Sequence, residues 1–326
     1  MILLRPAERE RDFAQLADWF SLLEDELTTA SGLKEWYAKN HKRIIQMIAQ
    51  DERDELLGFY WAARDRMVPE RLNITLFVKP EARGQGVGQR LYDDLELAAR
   101  EAQAIVMRTS VWDNYPECQA FAEQRGFNER SHQITMALEM KAFDDRPYDE
   151  IIDRLQGMGF RFASMEELGN TEEAQRKLYA LNDATALDIP GEDDEHSWAS
   201  FEDFQQRVCQ AEWYIPGGQM VVLDAARHGA DGPFVALSAI TRLKGATERN
   251  QKDYAYNLHT GVDRRYRRRK LAQGVKVLAL RYARDVLKVD TVRTHHNAQN
   301  LPMIAIDRKL GYIQIAGTFS MEKRLE

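Results

Sequence analysis

Residues 72–103, LNITLFVKPEARGQGVGQRLYDDLELAAREAQ, carry three local signals in succession. Leu72, Ile74, Leu76 and Val78 alternate with Asn73, Thr75 and Phe77, the period of a half-buried strand. A glycine-rich turn follows, Arg83-Gly84-Gln85-Gly86-Val87-Gly88. Val87, Leu91, Leu95, Ala98 and Ala102 then recur at three-to-four spacing, one apolar stripe of a helix. Residues 256–287, YNLHTGVDRRYRRRKLAQGVKVLALRYARDVL, repeat the plan. Here Tyr256, Leu258, Thr260 and Val262 oppose Asn257, His259 and Gly261, and the helical stripe is Leu271, Val275, Leu278, Tyr282 and Val286. The register holds further on. Val262 lies 184 residues after Val78 (262 − 78), and Thr294 and Gly311 lie 185 after Thr109 and Gly126. Such a constant offset reads as duplication of one α/β domain. The strand-like HQITMALEM ends at Met140 and the charged, proline-bearing KAFDDRPYDE follows, which divides the chain into domains 1–141 and 142–326.

The 326 residues are enough for two domains, each burying its own core. With 45 basic against 52 acidic residues the net charge is −7, which argues against a general nucleic-acid binder. No apolar run approaches the roughly 20 residues of a membrane span, and the charged start MILLRPAERERDF is unlike a secretory signal. Cys118 and Cys209 stand far apart, so neither a disulfide framework nor metal-ligand spacing is expected, and the chain reads as a cytoplasmic protein without a metal.

The glycines of the first turn let the backbone approach a ligand and turn N–H groups inward. The helix beginning near Val87 adds unpaired N–H groups and the positive end of its dipole, which together suit a pyrophosphate. No Gly-Lys-Ser/Thr follows, so this is not a Walker loop. The half-exposed alternation of the preceding strand also disfavours a dinucleotide-binding fold with its continuous apolar strands.

These residues resemble the GNAT acetyltransferases. The Gln/Arg-x-x-Gly-x-Gly/Ala signature of that family is matched by Arg83 to Gly88, preceded by Val78-x-Pro80 and followed later by Gly126-Phe127. Because both halves share the plan, the chain is similar to tandem GNAT proteins, in the arrangement of mycothiol synthase. The resemblance implies two GNAT-like α/β (α+β) domains, each a mixed, mostly antiparallel sheet flanked by helices. It also implies acetyl-CoA on the turn, its pyrophosphate on the Phe77, Val78, Arg83, Gly84, Gln85, Gly86, Val87, Gly88 and Gln89 segment and its pantetheine arm between splayed strands. In the second half the corresponding set is Gly261, Val262, Arg267, Arg268, Arg269, Lys270, Leu271 and Ala272, with Arg268 and Lys270 where glycines are expected. Two readings of that turn stand. The cations attract phosphates beside a helix N-terminus, or the lost glycines bar close approach and leave a solvated charged turn. Asn114 and Asn300 precede the last helix of each half, either as cofactor contacts or as ordinary N-caps.

Acetyl transfer needs a neutral amine, and a lysine-like amine of pKa about 10.4 is roughly three units from that at pH 7, about 4 kcal/mol. Many relatives place a carboxylate on the strand before the turn and a Tyr in the last helix. This chain offers Asn73, Thr75, Asn257 and His259 on the strands, and Ala122 and Asp307 in the helices. His259 is the catalytic candidate, as base or substrate contact, against the alternative of a half-exposed strand histidine. Asp188 and the run Glu192-Asp193-Asp194-Glu195, like Glu24, Asp25 and Glu26, read as solvated acidic loops. Trp36, Tyr37, Trp61, Trp198, Trp213 and Tyr214 are given no acceptor role, since aromatics belong mostly to cores. With no His spaced to activate either cysteine, direct transfer in a ternary complex is expected. The expected function is N-acetyl transfer to a small-molecule amine, by a monomer or homodimer. The alternatives are an acyl-CoA sensor without turnover, or an enzyme with one half a structural pseudo-domain.

Overall fold

The computed structural model describes residues 1–24, 27–66, 68–190, 198–229, 231–244 and 253–325. They fall into two compact units, residues 1–132 with 317–325, and residues 133–244 with 253–316. The first unit thus includes residues from the end of the chain.

In the first unit the elements run β1 (Leu3–Arg5), α1 (Arg9–Glu24), α2 (Ala30–Asn40), β2 (Ile44–Gln50), β3 (Leu56–Arg64), β4 (Arg71–Val78), α3 (Val87–Glu101), β5 (Val106–Trp112), α4 (Pro116–Glu123) and the start of β6 (Asn128–Glu139). Strand order is β1-β2-β3-β4-β5, closed by residues 318–324 of the chain's last strand, β12 (Ile313–Arg324), antiparallel on β5. All these pairs are antiparallel except β4/β5. Period-two alternation sorts the side chains: Phe59, Trp61 and Phe77 pack with Phe13, Leu16 and Phe20 of α1. Tyr60, Ala62, Leu72 and Ile74 pack with Val87, Leu91 and Leu95 of α3. Apolar faces on both sides of a sheet require a helical layer on each.

The second unit runs α5 (Asp149–Gly157), β7 (Phe160–Ser164), α6 (Glu172–Ala186), α7 (Phe201–Phe204), β8 (Gln219–Asp224), α8 (Ala225–His228), β9 (Phe234–Leu243), β10 (Tyr254–Val262), α9 (Leu271–Tyr282), β11 (Thr291–Asn297) and α10 (Leu301–Lys309). Its sheet is ordered β7-β8-β9-β10-β11, ending on residues 133–139 of β6. Again the one parallel pair is the strand before the turn with the strand after the helix, β10/β11. Gly126 and Gly311, at φ +84° and +95°, end α4 and α10 in the left-handed conformation, which explains the repeated glycine-aromatic pair.

One expected alternation is corrected. The register of β10 on β9 slips between Asn257 and His259, a bulge that takes Leu258 out of the pattern. Ala255 therefore packs toward α9, as does Val262, while His259 meets α6. Tyr256 and Val262 do not share a face, because the extra residue inverts the order.

Candidate functional site

Among the described residues β4 and β5 pair only through Arg71–Asn73 and Val106–Arg108, and the rest of each strand diverges. The same holds for β10 and β11, paired at Ala255/Val292 and Tyr256/Arg293. Thr294 Oγ1 donates to the Asn257 carbonyl at 3.0 Å just where the second pair parts. Each unit thus holds a wedge between two parallel strands, with an Arg-bearing turn and a helix N-terminus at its edge.

The first turn has Gly84 and Gly86 at φ +73° and +85°. A Cβ at either would meet nothing within 4 Å, so both face open space. Arg83 folds back, Nε donating to the Val78 carbonyl at 3.2 Å. Val87 is buried at the first helical position, and the N–H groups of Val87, Gly88 and Gln89 belong to the turn of α3 that has no intrahelical acceptor. The Gln85 amide donates to the Glu81 carbonyl and that of Gln89 to Asp93, so these side chains brace the turn. Gly88 is small because a Cβ would come within 3.2 Å of the Phe121 ring. Phe77 packs its ring against Trp19, and its backbone pairs with Phe59 of β3, away from the wedge. Such a turn, open at its glycines and lined with N–H groups, fits a pyrophosphate.

The second turn keeps this backbone without the glycines. Arg268 and Lys270 stand at φ +64° and +68°, in the left-handed region that costs a residue with a Cβ about 1–2 kcal/mol. Arg267 Nε donates to the Val262 carbonyl at 3.2 Å, repeating Arg83 on Val78. Leu271 is buried as Val87 is, Ala272 takes the place of Gly88, and Arg269 lies over the Tyr266 ring. Asp188 is no solvated loop residue, for its carboxylate is clamped by Arg264 and Arg267. Burial would raise its pKa, but the two guanidinium groups hold it below the usual carboxylate range. Glu192, Asp193, Asp194 and Glu195, like Asp25 and Glu26 and the Glu24 side chain, lie outside the described residues.

His259 Nε2 sits 2.9 Å from Thr185 Oγ1, whose hydroxyl donates to the Leu181 carbonyl, so the imidazole N–H donates to threonine. Gly261 lacks a Cβ because one there would collide with the same Thr185 hydroxyl. Asn300 occupies the N-cap position of α10 without a side-chain cap bond, while Tyr115, not Asn114, holds that position in α4.

Other functional candidates escape sequence reasoning. A cavity of about 800 Å³ in the first unit is lined by Trp36, Trp61 and Trp112, by Asn73 to Leu76, and by Arg108 to Ser110. The last two stretches belong to the parting strands, so the cavity opens on the wedge. Its size suits a small molecule. Among its described lining residues there is no carboxylate, and Arg108 is paired with Glu322, Nε to Oε1 2.7 Å. His132 lies 2.9 Å from Asp113, which also accepts from the Gly317 N–H, an imidazole-carboxylate pair in that unit. Burial pushes the Cys209 thiol up to about 11 and raises Cys118 as well, so neither is a ready nucleophile. No helix among the described residues is long and apolar enough to cross a membrane.

The family model described as Acetyltransferase (GNAT) matches residues 11–127. No curated protein matches the chain in sequence. Among solved structures, a GCN5-related N-acetyltransferase from Sphaerobacter thermophilus is similar with a TM-score of 0.69 at 15% identity, covering 99% of this chain and 95% of that one. A tandem GNAT protein from the clavulanic acid biosynthesis pathway is similar at 0.68 and 15%, covering 99% and 98%. A glucosamine N-acetyltransferase region of a fungal multi-domain β-N-acetylglucosaminidase scores 0.72 at 14%, covering 99% of this chain but 38% of that one. At these identities the structures speak for the fold. Residues 11–127 thus match the GNAT acetyltransferase family model, and the chain as a whole has the fold of a tandem GNAT protein.

Proposed function

We propose that the chain is an N-acetyltransferase that moves the acetyl group of acetyl-CoA to a small-molecule amine by direct transfer, with the reaction in the first unit. The observation that carries the reading is the continuity of wedge and cavity. One end of the β4/β5 opening meets the N–H-lined turn, and the other opens on the tryptophan-walled cavity. The bound cofactor supplies a thioester carbonyl and a thiol leaving group. The chain holds its pyrophosphate on the backbone of Gly84 to Gln89, and its arm against the unpaired edges of Ile74 to Val78 and Thr109 to Trp112. Trp36 and Trp61 hold the acceptor and exclude water.

The tryptophans Trp36, Trp61 and Trp112 favour an amine with an aromatic or apolar body. The second unit binds the same cofactor on its Arg268 and Lys270 turn, supported by the retained left-handed backbone and helix N-terminus.

Calorimetric titration with acetyl-CoA, together with thiol release over a panel of amines, tests this. Two equivalents and release with aromatic amines are expected. Binding without release on any amine would instead favour an acyl-CoA sensor.

A further inference from the structure

The two units differ most sharply at four positions related by the repeat. In the first unit Tyr92, Val111, Ala122 and Phe127 lie in one apolar cluster. In the second unit their places are taken by Lys276, His296, Asp307 and Tyr312. These four also meet. Lys276 Nζ forms an ion pair with Asp307 Oδ1, His296 Nε2 lies 2.6 Å from Asp307 Oδ2, and Lys276 Nζ stands 5.3 Å over the Tyr312 ring. The Lys276 and Asp307 side chains are 1% and 0% exposed, and among the described residues Lys276 Nζ and the Tyr312 hydroxyl have no hydrogen-bond partner beyond that ion pair.

A buried ion pair is a poor stabiliser compared with the apolar packing that the first unit uses at the same places. The second unit therefore keeps these charges for what they hold, and what they hold is an imidazole. Burial alone would push the Asp307 carboxyl up, yet Lys276 and His296 keep it below the ordinary range, so it is ionised and accepts only. The proton between His296 and Asp307 therefore sits on Nε2. That leaves Nδ1, the nitrogen nearer the strand, to exchange protons. His296 is on β11 beyond the Tyr256/Arg293 pairing, on the half of the strand that parts from β10.

We propose that the second unit is itself a transfer site whose catalytic residue is His296, with Asp307 and Lys276 as positioning residues. This rests on the reading that the second unit binds acetyl-CoA. As the bond from acceptor nitrogen to carbonyl carbon forms, the nitrogen loses a proton to Nδ1. As the carbon–sulfur bond breaks, sulfur keeps the electron pair and takes that proton, which restores the imidazole.

The test follows the His296 ring by NMR in the intact chain, assigned by backbone connectivity and free of ligand, with CoA, or with desulfo-CoA, which differs by the thiol alone. Calorimetry of wild type and Lys270→Glu runs beside it. A thiol donating to Nδ1 favours the neutral ring, so the His296 titration midpoint should lie about half a unit or more lower with CoA than with desulfo-CoA. Asp307→Asn should abolish that difference while leaving CoA stoichiometry unchanged, which a purely structural role would not produce. If CoA occupies the second unit and both ligands leave His296 alike, the proposal is overturned and the binding reading survives. If Lys270→Glu removes no equivalent of CoA, the binding reading fails, and this proposal with it.

Discussion

The two units solve the same fold with opposite materials. Where the first has Gly84 and Gly86, the second has Arg268 and Lys270 at nearly the same backbone angles. Where the first packs Tyr92, Val111, Ala122 and Phe127, the second buries a lysine, an aspartate and a tyrosine beside a half-buried histidine. The strand before and the helix after impose the turn in both, so glycine is the cheap way to meet that demand and not its cause. The face between α3 and α4, or α9 and α10, is filled in both units. Apolar filling gives stability, whereas ionic filling gives a fixed carboxylate.

The largest effect that could break the comparison is on that ionic filling. Lys276→Met leaves Asp307 buried without its cation, and losing one partner of a buried pair costs about 3–5 kcal/mol. Urea unfolding of the second unit should show it. The double change Lys276→Met with Asp307→Leu should recover most of the loss, because it approaches the first unit's solution. The pH dependence follows from the sign of the shift. The Asp307 pKa is held down in the folded chain, so its contribution is complete above the ordinary carboxylate value of about 3.9 and is lost as pH falls through the lower folded value. Removing Lys276 moves that acid loss to higher pH, which a circular-dichroism acid titration reads directly. An unmoved acid midpoint would mean that the lysine does not hold the carboxylate.

Next in size is the first turn. Gly86→Glu puts a Cβ at φ +85° and a carboxylate where the open N–H groups point. One equivalent of acetyl-CoA should weaken about 100-fold, about 2.7 kcal/mol, while the other is untouched. If both equivalents or neither respond, the two turns are not independent sites. The cavity comes third. Trp36 is 45% exposed and lines it, so Trp36→Ala should hardly alter stability. Loss of one aromatic contact, about 1 kcal/mol, should raise KM for the best amine of the panel about fivefold. An unchanged KM would move the acceptor out of that cavity.

How much of this is legible in the chain depends on how far apart the partners lie. Strand, turn and helix can be read because alternation, glycines and the apolar stripe are consecutive, and the 184–185 offset doubles each signal. The cavity cannot, since Trp36, Trp61 and Trp112 come from α2, β3 and β5 and meet only after folding. Asp188 reaches Arg264 across 76 residues, so its clamp on the turn is invisible locally and it reads as a loop charge. The bulge at Leu258 escapes because alternation survives on paper while the sheet slips one residue. Lys276, His296 and Asp307 could have been found from the repeat itself. Aligned on the first copy, they are three titratable residues in the places of Tyr92, Val111 and Ala122.

The smallest effect separates two uses of the second turn. Lys270 holds a left-handed conformation that glycine adopts without penalty. Lys270→Gly should therefore stabilise the second unit by about 1 kcal/mol. The same change removes a cation from the helix N-terminus where the pyrophosphate is proposed to bind, so CoA affinity at that site should fall a few-fold, more steeply at low salt. Opposite signs on the two measurements mean that the lysine is kept for the ligand at the expense of the fold. A gain in stability with unchanged CoA affinity would make Lys270 a strained surface residue, and the glycine-bearing turn of the first unit would be the more economical version of the same loop.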